Sequence, residues 1–149
     1  MRLSPHFTLA ELTKSQTAIR RRIRNEPHPR QIENLKKVCE HILEPVRVEY
    51  DIPFSPSSGF RCLDLNRELG SSDTSQHIQG KAVDFELPGI ANPAVARWVL
   101  NNCEFDQLIL EFYTEGEPNS GWIHASFDHL DTNRKVAKRF DGKIWEPFK

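Results

Sequence analysis

Two histidines and one aspartate are the residues in this sequence whose types could together bind a metal ion. His77 and Asp84 lie in the run 75–85, and His124 lies in the separate run 121–127. Imidazole nitrogen and carboxylate oxygen are both ligands that zinc accepts at about 2.0 to 2.2 Å, and three of them leave a fourth position open. Iron centres use the same ligand types, and a lone histidine near a strand is commonly a core or loop residue.

A turn and a strand must position the first two of these residues. Seven positions separate His77 from Asp84, which is too far for one helical turn, and Gly80 can supply a turn between them because glycine tolerates dihedral angles that other residues avoid. Residues 81–87 alternate in part and are rich in apolar side chains, which predicts a strand that is largely covered on both faces.

A hairpin is predicted to position the third residue. Residues 107–113 and 122–127 read as strands, and the turn-rich segment 114–120 between them favours antiparallel pairing. If Tyr113 lies opposite Trp122, then Glu111 lies opposite His124, on the same face and with Cβ atoms about 5 Å apart. A shift of one residue would move Glu111 to the other face.

Helices are predicted in the parts of the sequence that precede and separate these strands. Thr8 and Glu11 fit a capping box at the start of a short helix. Apolar residues from Ile32 to Val46 recur at spacings of three and four, which indicates a longer helix that Pro45 must kink or end. Other features indicate a helix closed by Gly70, a helix that starts with Asn92 as its cap and Pro93 in its first turn, and a final strand within 143–148.

The composition describes one domain with no strong charge preference. The 149 residues can bury a core without disulfides, and the odd, widely spaced cysteines predict neither a disulfide framework nor a cysteine zinc site. A net charge of −1 gives no general argument for binding nucleic acid or membranes. The basic run 20–24 is expected to be a solvated surface, with a nucleic-acid contact as the weaker alternative. No signal peptide or membrane span is predicted, so we expect synthesis in the cytoplasm.

Several short motifs together carry a family resemblance. They are S-S-G-F-R at 57–61 followed by L-N at 65–66, S-x-H-x-x-G-x-A-x-D at 75–84, and W-x-H at 122–124. With these motifs the sequence resembles the zinc D-Ala-D-Ala carboxypeptidases and peptidoglycan peptidases, a family that shares its fold with Hedgehog signalling domains. Residues 7–12 and 43–47 look like the leader helices of its small phage and prophage branch.

The resemblance implies a fold and a set of site residues. The fold is α+β, with a small antiparallel sheet that carries the zinc site and helices packed on one side. All of 1–149 would form one zinc peptidase-like domain, with 1–30 as a leader segment packed on it. One zinc ion would be held by His77, Asp84 and His124. Arg61 would hold a substrate carboxylate or carbonyl, with Ser75 in the same pocket. Trp122 is expected to be a core residue or a pocket wall, because a single tryptophan near a ligand strand is usually a packing residue.

One position departs from the family pattern. Many members place a catalytic acid three residues before the last zinc histidine, and this sequence has Gly121 there. We therefore predict Glu111 as the general base, because the expected hairpin register puts its carboxylate beside His124. Its other interpretations are an exposed strand residue or a partner of Arg61. The loop acids Glu115 and Glu117 are the alternatives for the base.

The function that the resemblance implies is a zinc-dependent peptidase that cuts peptide bonds in bacterial peptidoglycan stems. It would act as a D,D-carboxypeptidase or as an endopeptidase of endolysin type. The alternative is a non-catalytic, zinc-containing phage protein that serves structure or binds wall peptides, with phage virion proteins as partners. In either case the expected place of action is the cell wall, reached by release from the cell or as part of a virion.

Overall fold

Seven strands and six α-helices make up the computed structural model, which describes all of residues 1–149. In chain order they are β1 (Arg2–Ser4), β2 (Phe7–Thr8), α1 (Leu9–Thr13), α2 (Gln16–Arg21), α3 (Pro29–Val38), α4 (Glu44–Tyr50), α5 (Leu63–Glu68), β3 (Ala82–Phe85), α6 (Asn92–Asn102), β4 (Gln107–Glu111), β5 (Trp122–Ser126), β6 (Val136–Phe140) and β7 (Trp145–Pro147). The predicted α+β class is confirmed.

A five-stranded sheet with the order β3-β5-β4-β6-β7 is the centre of the fold. The predicted hairpin is present as β4 and β5, and the predicted final strand is present as β7. One pairing was not expected, because β4 and β6 run parallel and make the sheet mixed instead of purely antiparallel. The sequence of β6 gave no signal, since its residues are mostly half-buried and show no alternation between an apolar and a polar face.

The two faces of this sheet differ in composition. One face packs into the hydrophobic core through Val83 and Phe85 of β3, Leu108 and Leu110 of β4, and Ile123 of β5. Strand side chains alternate between faces, so the residues between these positions share the opposite face. That opposite face carries Asp84, His124 and Glu111, and it is called the site face below.

The N-terminal helices follow the predicted local signals. Thr8 caps α1, and its side chain and that of Glu11 form the capping box in both directions. A five-residue π-helical turn, Cys39–Leu43, joins α3 to α4, so the helical path continues past Pro45. Such a turn absorbs the hydrogen bond that a proline cannot donate. None of the helices has both the length and the apolar character needed to cross a membrane.

Asn92 does not have the capping role that its position suggested. The cap of α6 is Ala91, and Asn92 is the first helical residue. Its buried side-chain amide donates to Glu86, to the carbonyl oxygen of Ser120 at 3.1 Å and to that of Gly121 at 3.2 Å. Because a buried amide needs acceptors, this residue instead ties the start of α6 to the β4–β5 loop.

Candidate metal centre

The structure brings the three predicted metal ligands together in one buried cluster. Asp84 of β3 and His124 of β5 are direct cross-strand partners, and His77 reaches them from the turn segment that precedes β3. The turn depends on Gly80, whose φ of +73° most other residues avoid. The potential ligand atoms of the three side chains all lie within 4.8 Å of one another.

His77 has the hydrogen bonding expected of a metal ligand. Its Nδ1 donates to the carbonyl oxygen of Gly59 at 2.7 Å, which leaves the lone pair of a neutral ring on Nε2. Burial lowers the pKa of His77 against the opposing effect of Asp84, so the ring is neutral. Nε2 is fully buried and has no hydrogen-bond partner. An orphaned nitrogen with its ring fixed by a backbone carbonyl is the arrangement that metal-binding histidines use.

The distances around Asp84 fit a small tetrahedral metal ion. Nε2 of His77 lies 3.4 Å from Oδ2 of Asp84 and makes no hydrogen bond with it, because the ring proton is on Nδ1 and the ionised carboxylate has none to donate. Two ligands that each lie about 2.1 Å from one tetrahedral zinc would be separated by about 3.4 Å. Nδ1 of His124 donates to Oδ1 of Asp84 at 2.9 Å, and a metal ion would take the place of that proton.

Asp84 is held in its ionised form. Burial by itself would raise its pKa, but the hydrogen bond from His124 and the proximity of His77 outweigh burial and bring the pKa well below its usual range. The guanidinium of Arg61 adds an ion pair at 3.2 Å. The cluster therefore offers one carboxylate and two imidazole rings, a donor set that suits zinc.

Arg61 is bound to the cluster and also faces the cavity. Its three nitrogens donate to Oγ of Ser58 at 2.9 Å, Oδ1 of Asn66 at 3.2 Å and Oδ2 of Asp84 at 3.2 Å. These bonds use three of its five N–H donors, so two remain for a ligand. Asn66 is fully buried and was not assigned a role from the sequence, although it lies in the L-N motif. The substrate-binding role of Arg61 stays a prediction.

Glu111 lies beside the cluster, although in a different register from the expected one. It pairs with Trp122, and Ile109 is the residue opposite His124, so the predicted register was wrong by two residues. Because strand side chains have a period of two, this shift keeps Glu111 on the site face. Its carboxylate lies 3.7 Å from Nδ1 of His124. Burial is the main cause that raises the pKa of Glu111.

The backbone explains why position 121 carries no acid. Gly121 has a φ of +65°, and a Cβ added there would lie 2.7 Å from the carbonyl carbon and oxygen of Phe112 and closer still to the carbonyl oxygen of Glu111. Only glycine fits without moving the facing strand. The space that a side chain at position 121 would need is therefore occupied by the backbone of Glu111 and Phe112.

The two loop acids lie away from the cluster. Glu115 forms an ion pair with Arg139 at 3.1 Å, and Arg139 is on the opposite face of the sheet from Glu111. Glu117 is exposed in the turn between β4 and β5. Neither side chain lines the cavity that contains the three ligands. The geometry therefore favours Glu111 over both loop acids as the base.

The cluster lies in the middle of an open cavity of about 890 Å³ with two different ends. At the Gln107 end of β4, Gln76 donates to Asp106, and Arg134 forms a two-point ion pair with the same carboxylate. Hydroxyl-bearing residues line this polar end: Ser71, Ser72, Thr74 and the predicted Ser75. At the Glu111 end, the cavity is lined by Phe112, Trp145 and the predicted Trp122.

Phe112 is a residue of this cavity that the sequence did not reveal. The sequence predicts a strand that runs to Tyr113, but the φ of Phe112 is +52° and β4 ends at Glu111. A bulky residue in the left-handed region costs about 1 to 2 kcal/mol. The only signal of this bend in the sequence is Gly121. It lies opposite Phe112 and allows the two backbone segments to approach closely.

Comparison with known proteins gives one family. The family model described as Peptidase M15 matches residues 5–126, which include all three candidate ligands, Arg61 and Glu111. Residues 127–149, with β6 and β7, lie outside the matched range. A search of curated proteins finds no significant match.

Proposed function

We propose that this chain, which belongs to the Peptidase M15 family, is a zinc-dependent peptidase that cuts peptide bonds in the stems of bacterial peptidoglycan. The observation that carries the proposal is the buried, unpartnered Nε2 of His77, which lies beside the carboxylate of Asp84 in an open cavity. A nitrogen in that position loses its hydration without compensation unless a metal ion binds it.

One zinc ion would be held by His77, Asp84 and His124. Zinc bound there would supply Lewis acidity toward a peptide carbonyl oxygen and an attacking water. The chain itself fixes the orientation of the ligands, since Gly59 holds the ring of His77 and Arg61 holds the carboxylate of Asp84. Such supporting contacts are typically worth 10- to 100-fold in metal affinity.

Glu111 acts as the general base and then as the general acid. Its carboxylate lies at the edge of the ligand cluster and has no hydrogen-bond partner of its own, so it is free to accept a proton from water. It then passes that proton to the nitrogen of the leaving amine. Its raised pKa brings it closer to neutral pH, where proton transfer in both directions is most efficient.

Arg61 binds the substrate next to the site of proton transfer. The two N–H donors that the protein leaves free suit a carbonyl oxygen or a terminal carboxylate of the peptide. A donor in this place also stabilises the negative charge that develops on the carbonyl oxygen during attack. Because Arg61 also holds Asp84, substrate binding and ligand geometry depend on the same side chain.

The cavity accepts more than a terminal dipeptide. Its volume of about 890 Å³ is near the upper end of the range for small-molecule sites, about 300 to 1,000 Å³. The bond would lie before a terminal D-amino acid or within a crosslink, in a stem that stays attached to the cell wall. We propose that the protein acts at the wall, after release from the cell or as part of a virion.

The test combines metal analysis with digestion of peptidoglycan. The purified protein should contain about one zinc ion per chain, and mass spectrometry of digested cell walls should identify the bond that is cut. Glu111→Gln should retain zinc and lower kcat by about 10²- to 10⁴-fold. His77→Ala should lose both zinc and hydrolysis. Glu115→Gln is the matched control, because Glu115 is paired with Arg139 and should be dispensable.

The same experiment separates a second candidate, a non-catalytic protein that binds wall peptides. The observation that favours it is Gly121, which removes the acid that many relatives use. Such a protein would bind zinc and wall peptides, and Glu111→Gln would change neither property. Hydrolysis by Glu111→Gln at the wild-type rate, together with its loss in Glu115→Gln, would instead transfer the role of base to the loop.

A further inference from the structure

Four aromatic side chains form a continuous row at one end of the cavity. The cross-strand register places Trp122, Glu111, Phe140 and Trp145 next to one another on the site face. The ring of Phe112 is stacked on Trp122 at 5.1 Å and lies edge-on to Phe140 at 5.3 Å, and Phe140 is stacked on Trp145 at 4.4 Å. We call Trp122, Phe112, Phe140 and Trp145 the aromatic row.

Two of the four rings in the aromatic row are exposed to solvent. Phe112 is 48% exposed and Trp145 is 54% exposed, whereas Trp122 and Phe140 are half-buried. Alternation along β4 would direct Phe112 toward the core beside Leu110, but its left-handed backbone turns the ring to the site face instead. A strained backbone that exposes a large apolar ring is a feature to be explained by function, because packing alone would favour the opposite orientation.

The row is continuous with the candidate active site. Phe112, Trp122 and Trp145 line the same cavity as the three ligands and Glu111. The hydroxyl-bearing polar end lies at the other end of β4, where Gln76 contacts Asp106. A substrate that crosses the ligand cluster therefore has a polar end on one side and the aromatic row on the other.

The chemistry of the row favours a neutral ring with C–H faces. Stacked aromatic rings offer flat apolar surface, and the ammonium of Lys138, 5.8 Å from the centre of the Trp145 ring, can donate to hydroxyl or carbonyl oxygens at its margin. The charged and polar groups of a peptide stem are matched better by the serine-rich end. A pyranose ring has an apolar C–H face with polar groups around its edge, so it complements the row.

We propose that the aromatic row is a subsite for the sugar rings of the glycan strand that carries the peptide substrate. The inference rests on the proposed function, because the sugar would be the part of peptidoglycan next to the peptide that is cut. Two members of the row, Phe140 and Trp145, lie in β6 and β7, outside the range that matches the family. The segment after residue 126 would thus select substrates that are still attached to glycan.

The test measures binding of peptide-free glycan strands, prepared from cell walls whose stems have been removed by an amidase. Calorimetric titration of the full chain should show binding that is weakened roughly tenfold by Trp145→Ala. Phe112→Asn should weaken it similarly, because asparagine tolerates the left-handed conformation and only the ring is lost. Ile144→Ala is the matched control, since Ile144 is equally exposed and adjacent to Trp145 but does not line this cavity.

A second measurement compares wall-attached and free stems. In Trp145→Ala, the ratio of kcat/KM for glycan-linked peptide to that for free peptide should fall about tenfold relative to the wild type. Glycan binding without any hydrolysis by the wild type would refute the proposed function and leave the sugar subsite standing. Thermal unfolding of each variant identifies any loss that is due to misfolding.

Three results would overturn the sugar subsite. The first is no binding of glycan strands by the wild type at millimolar concentration. The second is an equal loss of hydrolysis on free and glycan-linked peptide in Trp145→Ala, which would assign the row to the peptide itself. The third is a dimer in sedimentation experiments that Trp145→Ala dissociates, which would assign the row to a second copy of the chain.

Discussion

Replacing Gly121 by alanine tests whether the hairpin backbone positions the general base. The added Cβ would lie 2.7 Å from backbone atoms of Phe112, whereas ordinary contact begins at 3.4 Å, so β4 or β5 must move by at least several tenths of an ångström. The contact with the carbonyl oxygen of Glu111 is tighter still and requires a larger movement. All three contacted atoms belong to the backbone, so none of them is part of a flexible side chain that could turn away.

The expected loss of stability has two parts. Alanine with a φ near +65° costs about 1 to 2 kcal/mol, and displacement of packed backbone adds about 1 to 3 kcal/mol. Gly116→Ala is the matched control, because Gly116 lies in the same loop at φ +86° with nothing within 4 Å of an added Cβ. Gly116→Ala should therefore show only the first part. For a chain of this length, each 1 kcal/mol corresponds to about 3 °C in Tm.

Activity should respond more strongly than stability. Glu111 moves with its carbonyl, and a displacement of about 1 Å in a reacting group can lower the rate about 100-fold. We expect Gly121→Ala to lower kcat on peptidoglycan by one to two orders of magnitude, with zinc content unchanged and with Gly116→Ala near wild type. Equal Tm and equal kcat in the two variants would refute the idea that this backbone contact places Glu111.

Three further predictions concern charge, ligand support and metal. Hydrogen bonds from the Arg134 side chain, from its backbone N–H and from Gln76 lower the pKa of Asp106 to about 2, below its usual value near 3.9. Together these contacts should stabilise the fold by about 2 kcal/mol above pH 4 and lose that effect as pH falls toward 2. Urea unfolding of Asp106→Asn should show this difference at pH 7 and little of it at pH 2. Arg61→Lys should weaken zinc binding about tenfold in a chelator competition assay, because one ammonium cannot replace three directed donors; unchanged affinity would contradict this. Zinc at 100 times its Kd should raise Tm by about 8 °C in calorimetry, and an equal rise in His77→Ala would place the metal elsewhere.

The ligand cluster was predictable because its determinants are local. His77, Gly80 and Asp84 lie within eight residues, so a turn followed by a strand fixes their relation whatever the rest of the chain does. His124 required in addition that a hairpin strand pair with the strand of Asp84. Periodicity indicates which elements exist but not which strands pair, so the choice of His124 drew its support from the W-x-H motif of the family resemblance.

The position of Glu111 was predictable only in part. The sequence indicated the correct face, because a two-residue shift preserves it, but it did not indicate the correct partner. The register depends on Phe112 leaving the strand with a positive φ, and phenylalanine has no preference for that conformation. Tertiary packing of its ring between Trp122 and Phe140 decides the matter, and a single sequence does not display such packing.

Strand β6 was missed for a different physical reason. Residues 136–140 pair on both sides, with β4 and β7, yet neither face of the strand is deeply buried. Without a buried face there is no alternation for the sequence to show. To reach its place beside β4, the chain that leaves β5 must also pass β4 to the far side, which local propensities do not specify.

The order of the strands has a consequence for how the protein avoids aggregation. Residues 57 and 58 hydrogen-bond to the outer side of β3, and the other edge is the three-residue β7, which contains Pro147 and the paired Glu146. Short edges with proline and charge discourage pairing between chains. Within the range that matches the family, β4 would present its apolar Leu108, Ile109 and Leu110 at an open edge. The C-terminal β6 and β7 therefore also serve as a cover that keeps separate molecules from joining their sheets.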